Sequence, residues 1–227
     1  FKSSSTQVRI MNNPHGIHAE DSHIGPSQTS DLPLRLQLSR PINRRECPIT
    51  FSIIGYDIKD ENLRTEPISI SLRCRMKNES FLFSYEDHDG SISIAAAVPP
   101  MRSRNVSSSK ECAHGNSYSR LCPVVLSLHG TGVDVQMQAD SYKFKGKGAK
   151  DSQPYIFGVQ NAWLIAATRG GAHNWEYTGH LAALKALESL PSIVTKNVPS
   201  LPGLDVERVL FAGHSMGGHG SWVQFIH

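Results

Sequence analysis

Apolar positions along this chain fall into two textures. From Leu32 onward they alternate with polar residues in short runs: Leu34, Leu36 and Leu38, then Ile49-Thr50-Phe51-Ser52-Ile53-Ile54, then Ile68-Ser69-Ile70-Ser71-Leu72. A period of two marks half-buried strands, and the polar and Pro-bearing segments between them predict a small antiparallel β module over residues 31–78. Phe81-Leu82-Phe83-Ser84-Tyr85 and Ile92-Ser93-Ile94-Ala95-Ala96-Ala97 flank Asp89-Gly90, a pair that predicts a β-hairpin. After Pro123 the runs become continuous: Val124-Val125-Leu126-Ser127-Leu128, Trp163-Leu164-Ile165-Ala166-Ala167 and Val209-Leu210-Phe211-Ala212. Strands without alternation are buried on both faces, as in a parallel sheet. Between the last two lies an amphipathic stretch with Leu181, Leu184 and Leu187 on one face, a helix predicted to stop at Pro191. Strand, helix, strand makes this part α/β.

Residues 1–30 are rich in Ser, His and Asn without hydrophobic periodicity, and we expect a tail there. The hydrophobic fraction of 39% in 227 residues suffices for a sizeable core, in one large or two small domains. Formal charge is only +3, with no long Lys/Arg block to follow a phosphate backbone, so nucleic acid is not an expected partner. Lys143, Lys145, Lys147 and Lys150 interleave with Gly146 and Gly148 in what reads as a solvated loop, without the Gly and Lys-Ser/Thr spacing that cradles phosphate. No stretch reaches the roughly 18 apolar residues of a membrane-spanning helix.

The four cysteines, Cys47, Cys74, Cys112 and Cys122, lack metal-ligand spacing, so no metal is expected and two disulfides are allowed; a Cys112–Cys122 bridge would pin the polar loop between them. Asn78 and Asn105 begin glycosylation sequons. Together these favour the secretory pathway. The chain starts at Phe1 and stops within the apolar run from Trp222, so we expect a fragment of a longer protein.

Gly213-His214-Ser215-Met216-Gly217-Gly218 carries the chemistry. A serine on a sharp strand-to-helix turn needs small neighbours two residues to either side, and the helix that follows directs free N–H groups at developing negative charge. Upstream, Leu128-His129-Gly130-Thr131-Gly132 forms a Gly-bearing loop at the end of another buried strand, where a second oxyanion donor belongs. His173-Asn174-Trp175-Glu176-Tyr177 follows the middle buried strand, at the edge where α/β sheets place ligands; His173 and Trp175 either line a substrate pocket or pack the loop against the helix.

These residues resemble the α/β-hydrolase superfamily. The stretch from Leu204 to Trp222, with Thr168-Arg169-Gly170-Gly171 and Trp175, is similar to the nucleophile region and Arg-Gly loop of prolyl oligopeptidase-like serine peptidases and related secreted esterases. The resemblance covers residues 79–227 and implies the N-terminal half of an α/β-hydrolase sheet preceded by the small antiparallel β module. It further implies that Ser215 is a nucleophile acting on a peptide or ester substrate without a cofactor. The Met216 N–H and that of Thr131, Gly130 or Gly132 would form the oxyanion hole, with Gly213, Gly217 and Gly218 supporting the elbow. In that family the order is Ser, acid, His, yet the 12 residues after Ser215 contain no Asp or Glu. His219 and His227 read as structural, and His129, His173 and His180 precede the nucleophile, so the visible triad is incomplete. Family strand order puts the nucleophile strand at the centre of its sheet, so a chain that stops after it is expected to leave an apolar edge unpaired. The β-propeller and the Tyr-bearing oxyanion motif of prolyl oligopeptidases are absent from these residues. The competing class is a non-catalytic hydrolase-fold binding or adhesion module with Ser215 as a relic.

Overall fold

The computed structural model describes residues 2–3, 5, 8–11, 35–40, 42, 44–55, 62, 64–75, 79–101, 112, 121–145, 150–171 and 173–226. The sequons at Asn78 and Asn105, with Gly146, Lys147, Gly148 and His227, lie outside them. The chain divides into two compact units, Phe1–Cys74 and Arg75–His227, so the boundary falls a few residues before the expected 78/79. Arg75 belongs with the second unit: its guanidinium reaches Ser80 Oγ (3.0 Å) and Asp140 (3.4 Å).

The first unit holds β1 (Lys2–Ser3), β2 (Val8–Met11), β3 (Arg35–Leu38), β4 (Ile49–Ile54) and β5 (Ile68–Leu72). One antiparallel sheet has the order β1-β4-β5 and a second pairs β2 with β3. Alternation along β4 buries Ile49, Phe51 and Ile53, which form a core with Val8; Ile10, Leu36, Ile42, Ile70 and Leu72 pack against it. The three expected strands are present, but residues 2–3 and 8–11 correct the expected tail. In a short, weakly periodic segment, burial of Val8 and ladder pairing to β3 and β4 override a polar composition. A Cys47–Cys74 disulfide closes this unit.

The second unit is α/β. Its five-stranded sheet has the order β12-β8-β11-β7-β6, from β6 (Phe81–Glu86), β7 (Ile92–Val98), β8 (Leu121–Leu128), β11 (Trp163–Ala167) and β12 (Gly203–Gly213). β6 and β7 form the predicted hairpin, with Gly90 at φ 82° in its turn. β8 runs parallel to both β11 and β12, whereas β7 joins β11 antiparallel. Leu126, Leu128, Trp163, Ile165 and Ala167 point to one face, covered by Ala183, Ala186, Leu187, Leu190 and Val194 of α2 (Thr178–Asn197). Val125, Leu164 and Ala166 point to the other, against Val135 and Ala139 of α1 (Val135–Asp140). Burial on both faces is what the unbroken apolar runs predicted, and it holds for β8 and β11; the third run, Val209–Ala212 in β12, is only half-buried with Leu210 exposed, because among the described strands β12 has a neighbour on one side alone.

Three local departures have physical causes. α2 passes through Pro191 to Asn197, because Leu190 and Val194 continue its buried face and packing outweighs the one ladder bond proline removes. α1 went unpredicted: it is one and a half turns long, started by Asp134, whose carboxylate accepts the Met137 N–H at 2.7 Å. The lysine-bearing segment contains a small ribbon, β9 (Lys143–Phe144) with β10 (Ile156–Phe157), where Lys143 and Lys145 lie over the Tyr155 ring. The Cys112–Cys122 disulfide forms, as the spacing allowed.

Candidate active site

β12 ends at Gly213 and α3 (Met216–Ile226) starts three residues later, leaving His214 and Ser215 to reverse the chain. Ser215 sits at φ 57°, the left-handed region that a side chain normally avoids, and is exposed. The turn is closed by the N–H groups of Gly217 to His214 O (2.9 Å), Gly218 to Ser215 O (2.9 Å) and His219 to Ser215 O (3.4 Å). The Met216 N–H takes no part in this closure and lies at the positive end of α3.

Two glycines make the turn possible. A Cβ on Gly213 would overlap the Gly217 carbonyl, and one on Gly217 would overlap the carbonyl of Leu128 at the end of β8. The expectation of small residues two positions to either side of the serine therefore has a steric basis. Gly218 is different: its nearest neighbour would be Gly213 O at 3.8 Å, so nothing there demands a glycine.

The second loop lies against the serine. A Cβ on Gly130 would stand 3.1 Å from both Ser215 Cβ and His214 O. His129 is buried and its Nδ1 donates to Gly130 O at 2.8 Å. In a planar trans peptide the N–H of the next residue points opposite to the carbonyl, so this bond turns the Thr131 N–H away from the imidazole. The Thr131 hydroxyl donates to Met216 Sδ at 2.6 Å, tying together the two loops assigned to the oxyanion hole. Gly132 needs its freedom for conformation rather than space, at φ 73° with open surroundings.

Trp175 resolves the alternatives left by the sequence. Its side chain is 0% exposed, its Nε1–H donates to His129 O at 3.0 Å, and its ring meets the His129 ring edge-on at 5.1 Å. Gly220 of α3 packs on it so closely that a Cβ would come within 2.5 Å of its Cγ. Trp175 is a clamp between the loop at residues 129–132 and α3, not a pocket wall, while His173 is exposed. Asp205 and Arg208 brace an irregularity within β12: Arg208 Nε donates to Asp205 at 2.6 Å, which holds that carboxyl below its ordinary range.

His219 Nε2 lies 3.2 Å from Glu176 Oε1, a pair that sequence reasoning missed because 43 residues separate its members. Glu176, Tyr177, His180, Leu181, His219 and Val223 line an open cleft of about 560 Å³. Tyr177, which precedes α2, adopts φ 47°, ψ −108°, and Asn174 and Trp175 also have positive φ. No periodicity signals such strain; the dense run of bulky residues after Gly170-Gly171 was the only hint. Among the described residues no group of His, Cys, Asp and Glu could hold a metal ion, and no helix is long and apolar enough to cross a membrane.

Compared with known proteins, the chain matches no family model. No curated protein sequence matches it either.

Proposed function

We propose that this chain carries the nucleophile half of a serine hydrolase of the α/β-hydrolase superfamily, resembling prolyl oligopeptidase-like peptidases and secreted esterases. Ser215 Oγ attacks the carbonyl of a peptide or ester bond as its proton passes to the histidine base, the N–H groups of Met216 and Thr131 stabilise the tetrahedral oxyanion, the amine or alcohol departs with that proton, and water then releases the acyl group as the acid. The observation that carries this reading is Ser215 itself, an exposed side chain held at φ 57° with Gly130 against its Cβ. The reading needs a histidine base and a carboxylate partner, which in the family follow the nucleophile, and the 12 residues after Ser215 hold no Asp or Glu. The 227 residues alone are therefore expected to turn over no substrate, since loss of triad members removes several orders of magnitude in rate. The two disulfides suit a secreted protein.

The test is fluorophosphonate labelling of the full-length gene product, with mass mapping of the modified peptide and a Ser215→Ala control. Labelling at Ser215 that disappears in the variant is expected. A second reading, a non-catalytic binding or adhesion module, is favoured by one observation: among the described residues no imidazole hydrogen-bonds Ser215 Oγ, and His219 pairs with Glu176 instead. Absence of labelling in folded full-length protein would select it.

A further inference from the structure

The cleft opens one helical turn past the serine: His219, whose N–H donates to Ser215 O at 3.4 Å, is among its lining residues. On a helix, residues four apart lie on one stripe, so Val223 continues the wall that His219 begins on α3. The opposite wall is Glu176, Tyr177, His180 and Leu181, from the segment that leads into α2. Its volume of about 560 Å³ lies within the roughly 300–1,000 Å³ of small-molecule sites.

The lining is apolar with one full charge. Leu181, Val223 and the Tyr177 ring offer hydrocarbon and aromatic surface, and no Lys or Arg is among the lining residues. Glu176 is the carboxylate, and its Oε1 lies 3.2 Å from His219 Nε2. Tyr177 is 87% exposed at φ 47°, a backbone conformation that side chains normally avoid, so this aromatic is held out at the rim against its own preference. An aliphatic stem ending in a cation fits every feature: the stem covers Leu181 and Val223, and the head meets the Glu176 carboxylate and the face of Tyr177.

We propose that this cleft is a substrate subsite that selects a basic side chain, of the lysine type, next to the scissile carbonyl. The proposal rests on reading Ser215 as the acyl-transfer nucleophile, and its test is built so that the two can fail separately. The 227-residue chain is titrated with Nα-acetyl-lysine N-methylamide and with the norleucine analogue, following backbone amide shifts of Leu181, His219 and Val223. The lysine compound is expected to bind roughly tenfold more tightly. Glu176→Gln, which preserves volume and the acceptor for His219, should bring the two affinities together. Leu181→Lys, at an exposed position that leaves the core intact, should abolish the lysine preference by placing a cation in the cleft. Equal affinities in the unmodified chain, no shifts with either compound, or a preference that survives Glu176→Gln would overturn the proposal. Fluorophosphonate labelling of Ser215 in the full-length protein without lysine preference refutes the subsite alone. Lysine preference without labelling refutes the nucleophile and leaves a cation-binding cleft.

Discussion

Alanine at position 217 should destabilise the second unit although it is a better helix former than glycine. Gly217 is the second residue of α3, and an added Cβ would overlap the carbonyl carbon and oxygen of Leu128 and stand 3.0 Å from His129 O. Those atoms cannot yield cheaply, because β8 is fixed between β11 and β12 and Leu128 O also accepts the His214 N–H at 3.3 Å. Overpacking of this kind costs about 1–3 kcal/mol or more, against a helix-propensity gain of about 1 kcal/mol. An overlap with fixed backbone atoms puts the cost at the upper end, so we expect a net loss of about 2 kcal/mol or more. Gly218→Ala is the internal control: its Cβ would meet nothing closer than 3.8 Å, so only the favourable term remains and the protein should gain a few tenths to about 1 kcal/mol. Urea unfolding followed by tryptophan fluorescence separates the outcomes, since Trp163, Trp175 and Trp222 all lie in the second unit and the first two are fully buried. In thermal melts each kcal/mol should appear as about 2–4 °C. If Gly217→Ala proves as stable as the unmodified protein, α3 does not rest on the Leu128 carbonyl and the described elbow is wrong.

Tyr85 gives an alkaline signature. Burial, opposed by a hydrogen bond with Ser93 and reinforced by Asp87, pushes its hydroxyl up to about 12, so its stabilising contribution is complete below pH 10 and is lost as pH rises towards 12. The loss should reach roughly 3 kcal/mol, and a Tyr85→Phe variant that keeps the same alkaline slope would refute it. Ser215→Gly should relieve the left-handed backbone and raise stability by about 1 kcal/mol, whereas Ser215→Ala keeps the strain and should stay near neutral; equal effects in urea melts would count against it. β12 ends its sheet, with Leu210 exposed on it and Trp222, Phe225 and Ile226 exposed on α3, so the chain should associate as concentration rises and Leu210→Lys should reduce this; sedimentation velocity showing one monomer throughout would contradict it.

What the sequence made legible followed from periodicity and turn chemistry. Strands β3 to β7 carry alternation over at least part of their length, and β8, β11 and the last third of β12 carry continuous apolar runs, so each announces itself locally. The motif around Ser215 was readable because its glycines answer local clashes. What escaped depends on partners distant in sequence: β1 and β2 acquire their conformation from β4 and β3, and the Glu176–His219 pair exists only because the segment before α2 packs beside α3. Trp175 shows the same limit, since its hydrogen bond to His129 and its contact with Gly220 are tertiary facts. The strand order of the family puts this strand centrally in a full sheet and so left it an edge here, and among the described strands β12 lies at the sheet edge.

The distribution of backbone strain adds an argument independent of motif resemblance. Among the described residues six non-glycines have positive φ, and four of them, Asn174, Trp175, Tyr177 and Ser215, lie in the segment before α2 or at the start of α3. Each costs on the order of 1–3 kcal/mol and persists only where surrounding structure over-determines it. Here that structure is visible: Gly213 and Gly217 admit the turn, Gly130 seats against Ser215, and Trp175 fixes the oxyanion loop to α3 through His129 and Gly220. A turn whose only task was to join β12 to α3 would be more stable with glycine at 215, since this fold supplies glycine wherever a Cβ would clash. Serine at that position, exposed and backed by two glycines and a clamped loop, is costly for folding and useful for presenting an oxygen. That asymmetry is the physical ground for reading position 215 as chemistry rather than architecture.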